Sequence, residues 1–408
     1  MNILFVSEYW HPKGQGGGEL SGKLLAEELV KNGIHCTVLT SWFDGLEREE
    51  IVEGVRVLRV LKTGDNPGSI KGNIGRLGFD RSVRVQVEKF CLSEKVDIVH
   101  ALNVTSMVGV ARANIRAKKV AHINSPLPFC PKGTKLRGGE ECTVKCSFWN
   151  HFIPCVKGSE EFGKIPASKI KWNVPFLLLA YRRWKNINNS LKSFDFFFPI
   201  STYLRSWLVQ YDVPIEKTVV LPNIVDLSLF TPPKIRDQKE NVSILFIGAL
   251  LHSKGVDVFV EATKNLKDAT CSIYGEGPLQ SIVENSHIDF HHSVPYKDIP
   301  AIVQSCDILV FPSRVPEAFG RVALEAMSCG KVVVASRVGG IPDIVTEDTG
   351  ILVTPGSVEE LHSALENLVG DKKLRTRIGL HALHRARTVF TTKKIVDKCI
   401  RVYDYLLP

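Results

Sequence analysis

Two glutamates separated by seven residues carry the most specific chemistry in this chain. They lie in "FPSRVPEAFGRVALEAMSCG", residues 311–330. A strand runs to Pro312, a loop carries Glu317, and a helix begins near Gly320 with Glu325 about one turn inside it. The N–H groups of Phe319, Gly320 and Arg321 would crown that helix start, where an anion such as a diphosphate is well held. Glu325 has acceptor oxygens for two ribose hydroxyls, and Glu317 has them for the hydroxyls of a sugar. Two such glutamates are ordinarily a solvated helix face. Here Glu325 stands among Val322, Ala323, Leu324, Ala326 and Met327, and a charge in apolar surroundings requires a partner.

A second candidate is the glycine run in "KGQGGGELSGKLL", residues 13–25. Gly17, Gly22 and Lys23 match the skeleton of a nucleotide P-loop, but Leu24 stands where the Mg²⁺-binding hydroxyl belongs. A dinucleotide fingerprint fails as well, because Gly14 and Gly16 are followed by Glu19. What remains is Gly16, Gly17 and Gly18 at a helix N-terminus. That is either an anion cradle or a loop used only for chain reversal. Four of the ten cysteines cluster: Cys130, Cys142, Cys146 and Cys155, spaced by 11, 3 and 8 residues. Such a set suits a structural zinc ion, free thiols, or disulfides or a cluster. Cys36, Cys91, Cys271, Cys306, Cys329 and Cys399 are scattered through apolar segments and read as buried thiols of a reducing compartment. His291–His292 ends a strand and is assigned no role.

These residues need a scaffold, and the chain spells one out as alternating β and α segments. In the first half "NILFVS" (2–7), "CTVLT" (36–40), "VRVLRVL" (55–61), "VDIVHAL" (96–102), "KVAHIN" (119–124) and "DFFFPIS" (195–201) read as strands. A helix spans 19–32, with Leu20, Leu24, Leu25 and Leu29 along one side and Gly33 as its stop. The rhythm breaks across about 126–184, a Cys-, Gly- and Lys-rich insertion. Its segment "VPFLLLAYRRWKN" (174–186) suits either a membrane surface or domain packing. A two-proline linker covers 231–240, and strands restart at 242–248, 270–275, 288–294, 307–313 and 331–336. Two doubly wound α/β domains in tandem follow. The last 18 residues form a helix whose stripe of Ile395, Cys399 and Tyr403 needs a surface to cover.

The length of 408 residues suits two domains, and 44% hydrophobic with 23% charged residues is a globular composition. No apolar run reaches spanning length, and the N-terminal run reads as a first strand, not a signal peptide. Charge is uneven. Of 52 basic and 43 acidic residues, 31 and 21 fall within the first 224. A basic first half suits an anionic partner; nucleic acid is not expected, because no recognition motif accompanies the charge.

The stretch "EAFGRVALE" resembles the signature of retaining glycosyltransferases of the GT-B fold, close to family four. "FIGALLHSKGVDVFVEA" (246–262), "YGEGP" (274–278), "LPNIVDLSLF" (221–230), "ASRVGGIPDIV" (335–345) and "GGGE" resemble its other elements, in order. The resemblance covers nearly the whole chain outside the insertion. It implies two Rossmann-like domains facing across a cleft. Residues 1–224, with the C-terminal helix 391–408, would bind the acceptor, and 225–390 the nucleotide-diphospho-sugar donor. Carried over, Glu325 holds the donor ribose. Glu317, with the loop of Ala318, Phe319 and Gly320, holds the transferred sugar, and Arg321 is a further donor-binding residue. Lys254 and Gly275 serve the diphosphate, and Gly17 and Gly18 close over it. Configuration is retained by front-face attack, without a required metal or other cofactor. The acceptor would be a glycan, a lipid-linked glycan or a small molecule, met in the cytoplasm or at the inner face of a membrane through peripheral association.

Two departures stand out. Ala249 replaces the family's phosphate-binding arginine, with Arg314 or Arg321 as possible compensation. Asn124 falls where the family has its active-site histidine, with His122 two residues earlier on the same strand face as a substitute. Catalytic roles are therefore expected of Glu317 with Asn124 or His122. A sugar-nucleotide-binding protein without turnover, or a sugar-nucleotide epimerase on the same fold, are the alternatives.

Overall fold

A computed structural model describes residues 1–14, 16–64, 76, 78–137, 140–150, 155, 161–162, 165–166, 174–233 and 241–407. Most of the linker read at 231–240 and much of the insertion lie outside the described residues. The chain divides into two compact units, Met1–Ile224 with Ile395–Pro408, and Val225–Lys394.

The first unit is built on β1 (Asn2–Val6), β2 (His35–Ser41), β3 (Glu49–Val52), β4 (Val55–Leu61), β5 (Ile98–Ala101), β6 (Lys118–Ile123) and, after the insertion, β11 (Phe196–Pro199). Their order in the sheet is β11-β6-β5-β1-β2-β4-β3. All neighbours pair in parallel except β3, which runs antiparallel to β4. That edge strand is absent from the sequence reading. It pairs through a two-residue turn at Glu53–Gly54, both at positive φ, the twist that joins hairpin strands well. Within the insertion, β7 (Leu136–Arg137) pairs with β8 (Glu140–Glu141), and β9 (Glu161–Phe162) with β10 (Ile165–Pro166).

Among the described residues the longer helices before the second unit are α1 (Gly17–Lys31), α2 (Phe79–Ser93), α3 (Val104–Arg112), α4 (Val174–Ser190) and α5 (Thr202–Gln210). The buried stripe of α1 is Ser21, Gly22, Leu25, Ala26 and Leu29; Leu20 and Leu24 lie at its half-exposed flank. The stripe is thus rotated from the one the leucines alone indicate. Helix α4 buries Leu177, Trp184 and Ile187 and exposes Val174, Leu178 and Leu179. One side of it packs on the domain while the other presents an apolar surface.

In the second unit β12 (Val242–Ile247), β13 (Ala269–Tyr274), β14 (Asp289–His291), β15 (Ile308–Phe311), β16 (Val332–Ser336) and β17 (Gly350–Val353) form an all-parallel sheet ordered β14-β13-β12-β15-β16-β17. Continuous apolar strands such as Val332–Ser336, buried at every position, are what a sheet covered on both faces demands. The longer helices here are α6 (Val256–Thr263), α7 (Ile299–Ser305), α8 (Arg321–Ser328), α9 (Val358–Gly370) and α10 (Lys372–Val389). The last helix, α11 (Thr392–Leu406), returns to the first unit. Its Ile395, Cys399 and Tyr403 are buried in one cluster with Phe5, Val120 and Phe198, and the Tyr403 hydroxyl meets His100 Nδ1 at 2.6 Å.

Candidate functional site

Gly320 makes the turn from the end of β15 into α8. Its φ of +105° with ψ of 54° lies outside the ordinary range of a side-chain-bearing residue. A Cβ there would stand 2.4 Å from Ile341 Cδ1. Glycine is therefore required on two grounds, and the start of α8 is fixed against a buried wall. No acidic residue occupies the first turn of α8, and its leading N–H groups have no acceptor within the helix. Phe319 turns its ring inward, 3% exposed and 6.2 Å from Phe390, so only its backbone, like that of Ala318, is available to a ligand.

Glu325 is buried, with 2% exposure. Its partners are Tyr296, whose hydroxyl donates to Oε1 at 2.9 Å, and Arg321, whose Nη2 donates to the same oxygen at 3.2 Å. Arg321 Nη2 also donates to the Tyr296 hydroxyl at 2.7 Å. Burial, then the adjacent Glu325 carboxylate, push the Tyr296 phenol above its ordinary range. It is accordingly a hydrogen-bond donor at neutral pH. The sequence reading missed Tyr296: it comes from a short 3₁₀ turn, Tyr296–Asp298, and no spacing links it to α8.

Glu317 and Lys254 meet. Lys254 Nζ donates to Glu317 Oε1 at 2.6 Å, and Ser313 Oγ donates to the same oxygen at 2.6 Å. The contact depends on Gly255, the residue between the Lys254 turn and α6. A Cβ on Gly255 would fall 2.0 Å from Pro312 O, and its φ is +69°. Only a glycine lets this turn press against the end of β15, where Arg314 N donates to Ser253 O at 2.9 Å. Glu317 is anchored from behind by Gly340 N, which donates to Glu317 O at 2.7 Å. Gly275 ends β13 and packs its backbone against Gly248. Ala249, where an arginine was expected, is exposed on the loop after β12. Neither candidate replacement is uncommitted: Arg321 serves Glu325, and Arg314 Nη2 pairs with Asp257 at 2.8 Å in the first turn of α6.

In the first unit Gly17 and Gly18 open α1, as the glycine run requires. Asn124 lies against them: a Cβ on Gly18 would stand 3.0 Å from Asn124 Nδ2, which itself donates to Leu102 O at 3.2 Å. Glu19 supplies a carboxylate to the first turn. Lys23 lies inside the helix and pairs with Glu27 at 2.6 Å, consistent with rejection of a P-loop. His122 departs from its expected role as a stand-in base. It is 6% exposed and stacks on His100 with ring centroids 5.6 Å apart. Burial lowers it to about 4. The residue shares a sheet face with Asn124 but points into packed core, which neutral imidazole tolerates and imidazolium does not.

The four clustered cysteines line one small cavity, and the described cysteines are all free thiols. Among the described residues no helix is long and apolar enough to cross a membrane.

Two doubly wound units, the second carrying this glutamate loop and helix, define the glycosyltransferases of the GT-B fold. The chain belongs to Glycosyltransferase Family 4, whose family model matches residues 15–229, and the model of Glycosyl transferases group 1 matches residues 230–385. It is 32% identical over 170 residues to the uncharacterized glycosyltransferase MJ1178 of Methanocaldococcus jannaschii, covering 40% of this chain and 48% of that one. It is 30% identical over 202 residues to one of the subunits of human phosphatidylinositol N-acetylglucosaminyltransferase, covering 46% and 41%. The chain thus spans less than half the length of these two curated relatives. Anabaena HepE in complex with UDP-glucose shares the fold at a TM-score of 0.68 and 21% identity, over 99% of this chain and 100% of that one.

Proposed function

We propose that this chain is a retaining glycosyltransferase that moves a sugar from a nucleotide-diphospho-sugar to a hydroxyl of a glycan, glycolipid or small-molecule acceptor. One observation carries the reading. Lys254 is paired at 2.6 Å to Glu317, which stands three residues before the glycine that opens α8 over buried Glu325. A cation, two carboxylates and the N-terminus of α8 are thus tied together.

The diphosphate takes Lys254 Nζ and the first N–H groups of α8, with Gly275 leaving room for the backbone. Its arrival separates Lys254 from Glu317 and frees that carboxylate for sugar hydroxyls. Glu325, oriented through Oε1 by Tyr296 and Arg321, offers its other oxygen to the ribose. As the bond from the anomeric carbon to the phosphate oxygen breaks, charge develops on the leaving nucleoside diphosphate. Lys254 and the α8 N–H groups are already aimed at it, the kind of preorganised stabilisation that gives large rate effects. The acceptor oxygen bonds to the same face of that carbon, and its proton passes to the departing phosphate oxygen. Gly17 and Gly18 keep the donor-side role, and Asn124 the catalytic role, that the resemblance gives them.

HepE has been solved with UDP-glucose, which supports testing UDP-sugars first. The human relative's name places N-acetylglucosamine on a phosphatidylinositol. With exposed Leu178 and Leu179 beside exposed Arg182 and Lys185 on α4, this supports an acceptor at a membrane surface. The free thiols support a reducing, cytoplasmic setting.

A second reading, donor binding without turnover, is favoured by Ala249 and by the commitment of Arg314 and Arg321 elsewhere. A thermal-shift panel of nucleotide sugars, followed by NMR of the product formed from the one that raises the melting temperature, tests both. A product with the donor's anomeric configuration is expected. Inversion refutes retention, and binding without acceptor transfer or slow donor hydrolysis establishes the second reading.

A further inference from the structure

The insertion of the first unit holds chemistry that the donor site does not use. Cys130, Cys142, Cys146 and Cys155 come from separated stretches of the chain and line a single cavity. Cys130 N donates to Pro126 O at 2.9 Å, closing a turn. Cys142 follows β8, and its N–H donates to Lys135 O at 2.6 Å. Cys146 N donates to the Tyr211 hydroxyl at 2.9 Å, and that hydroxyl donates to Phe129 O at 3.0 Å. Three of the four are thus seated by backbone hydrogen bonds, and one of those partners, Lys135, also lines the cavity wall.

Two lysines share that wall. Lys132 is 5% exposed and Lys135 1%. The Lys135 ammonium lies 3.2 Å from the centroid of the Trp207 ring and reaches Val144 O at 3.4 Å. Among the described residues neither lysine is ion-paired with a carboxylate. Burying an ammonium without an anion costs several kcal/mol, and a thiol is neutral. The wall therefore holds two buried amines facing four thiols.

We propose that the four cysteines bind one structural Zn²⁺ ion. Four S–H bonds are lost, four Zn–S bonds form, and four protons pass to solvent; nothing is oxidised or reduced. A dication with four thiolates carries two negative charges, which Lys132 and Lys135 offset. The three-residue spacing between Cys142 and Cys146 is within the range of paired zinc ligands. Among the described residues no three His, Cys, Asp or Glu side chains stand close enough together to hold a metal ion, so binding requires the four sulfurs to move inward from the cavity wall. The role is mechanical. The described strands of the insertion are two residues long, too short to build a core, and a bound ion ties its turns to α4 and α5.

Metal analysis of the full-length chain, expressed with zinc supplied and purified without a metal-binding tag, tests this. About one zinc per chain is expected, released in step with mercurial modification of four thiols. Cys142→Ser with Cys146→Ser loses it, and Cys91→Ser keeps it. Lys135→Met weakens zinc by roughly 10- to 100-fold, the usual effect of removing an outer partner of a metal site. Because release is read on the unaltered protein, misfolding of a variant leaves the test intact. Zinc-free protein, bound iron with a visible chromophore, or disulfides among these four cysteines overturns the proposal.

Discussion

Replacing Gly320 with alanine attacks the donor site at its hinge, and the structure sets the size of the effect. The φ of +105° places a non-glycine residue in a conformation costing about 1–3 kcal/mol. The new Cβ would stand 2.4 Å from Ile341 Cδ1, and Ile341 is fully buried. Overpacking of that kind costs about 1–3 kcal/mol. Together the loss is about 2–6 kcal/mol, a large part of the roughly 5–15 kcal/mol that stabilises a typical domain. Urea unfolding followed by circular dichroism measures it, and donor binding should fall in parallel because the N–H groups of α8 shift. The double variant Gly320→Ala with Ile341→Val removes the clashing methyl and should recover the steric share while keeping the backbone share. A single variant within about 0.5 kcal/mol of wild type, the range of a neutral surface change, would refute the reasoning. A double variant that recovers nothing would refute the steric part alone.

Lys254→Met removes the cation from the diphosphate site. Donor affinity should fall about 10- to 150-fold, the worth of a lost hydrogen bond to a charged group. Stability should change by less than about 1 kcal/mol, since the pair with Glu317 is partly exposed. Unchanged affinity by calorimetry contradicts the assignment. Acid should weaken the first unit through His122, held at about 4 by burial against an ordinary 6.5. The unfolded chain binds the proton first, so this stability is present above about pH 6.5 and is lost as pH falls toward 4. The loss is about 3 kcal/mol, with His100 acting in the same direction. All six tryptophans lie within the first 224 residues, so their fluorescence in urea reports this unit. A His122→Phe variant should flatten the pH dependence, and an unchanged slope contradicts it.

The positions of most strands and of α8 were legible because short apolar runs and a glycine-led helix leave direct marks on a sequence. The edge strand β3 was not, since its first two residues are Glu49 and Glu50 and its remaining signal is the Glu53–Gly54 turn. β17 was missed for a similar reason: four residues after a glycine carry little periodicity. At the site, Glu325 announced itself by its apolar neighbours, and the predicted need for a partner is met by Tyr296 and Arg321. The identity of Tyr296 could not be read, because its contact is made across 29 positions by tertiary packing. His122 misled because strand parity gives the face on which a side chain lies but not whether that part of the face is covered.

Calorimetric titration of the matching nucleotide sugar into the full chain, with wild type beside Glu325→Gln, tests the donor assignment most directly. The substitution keeps the shape of the side chain and removes its charge. Affinity at least tenfold weaker than wild type is predicted, with the fold retained by circular dichroism. Equal affinity and equal turnover in the two proteins would contradict the placement of the ribose on Glu325.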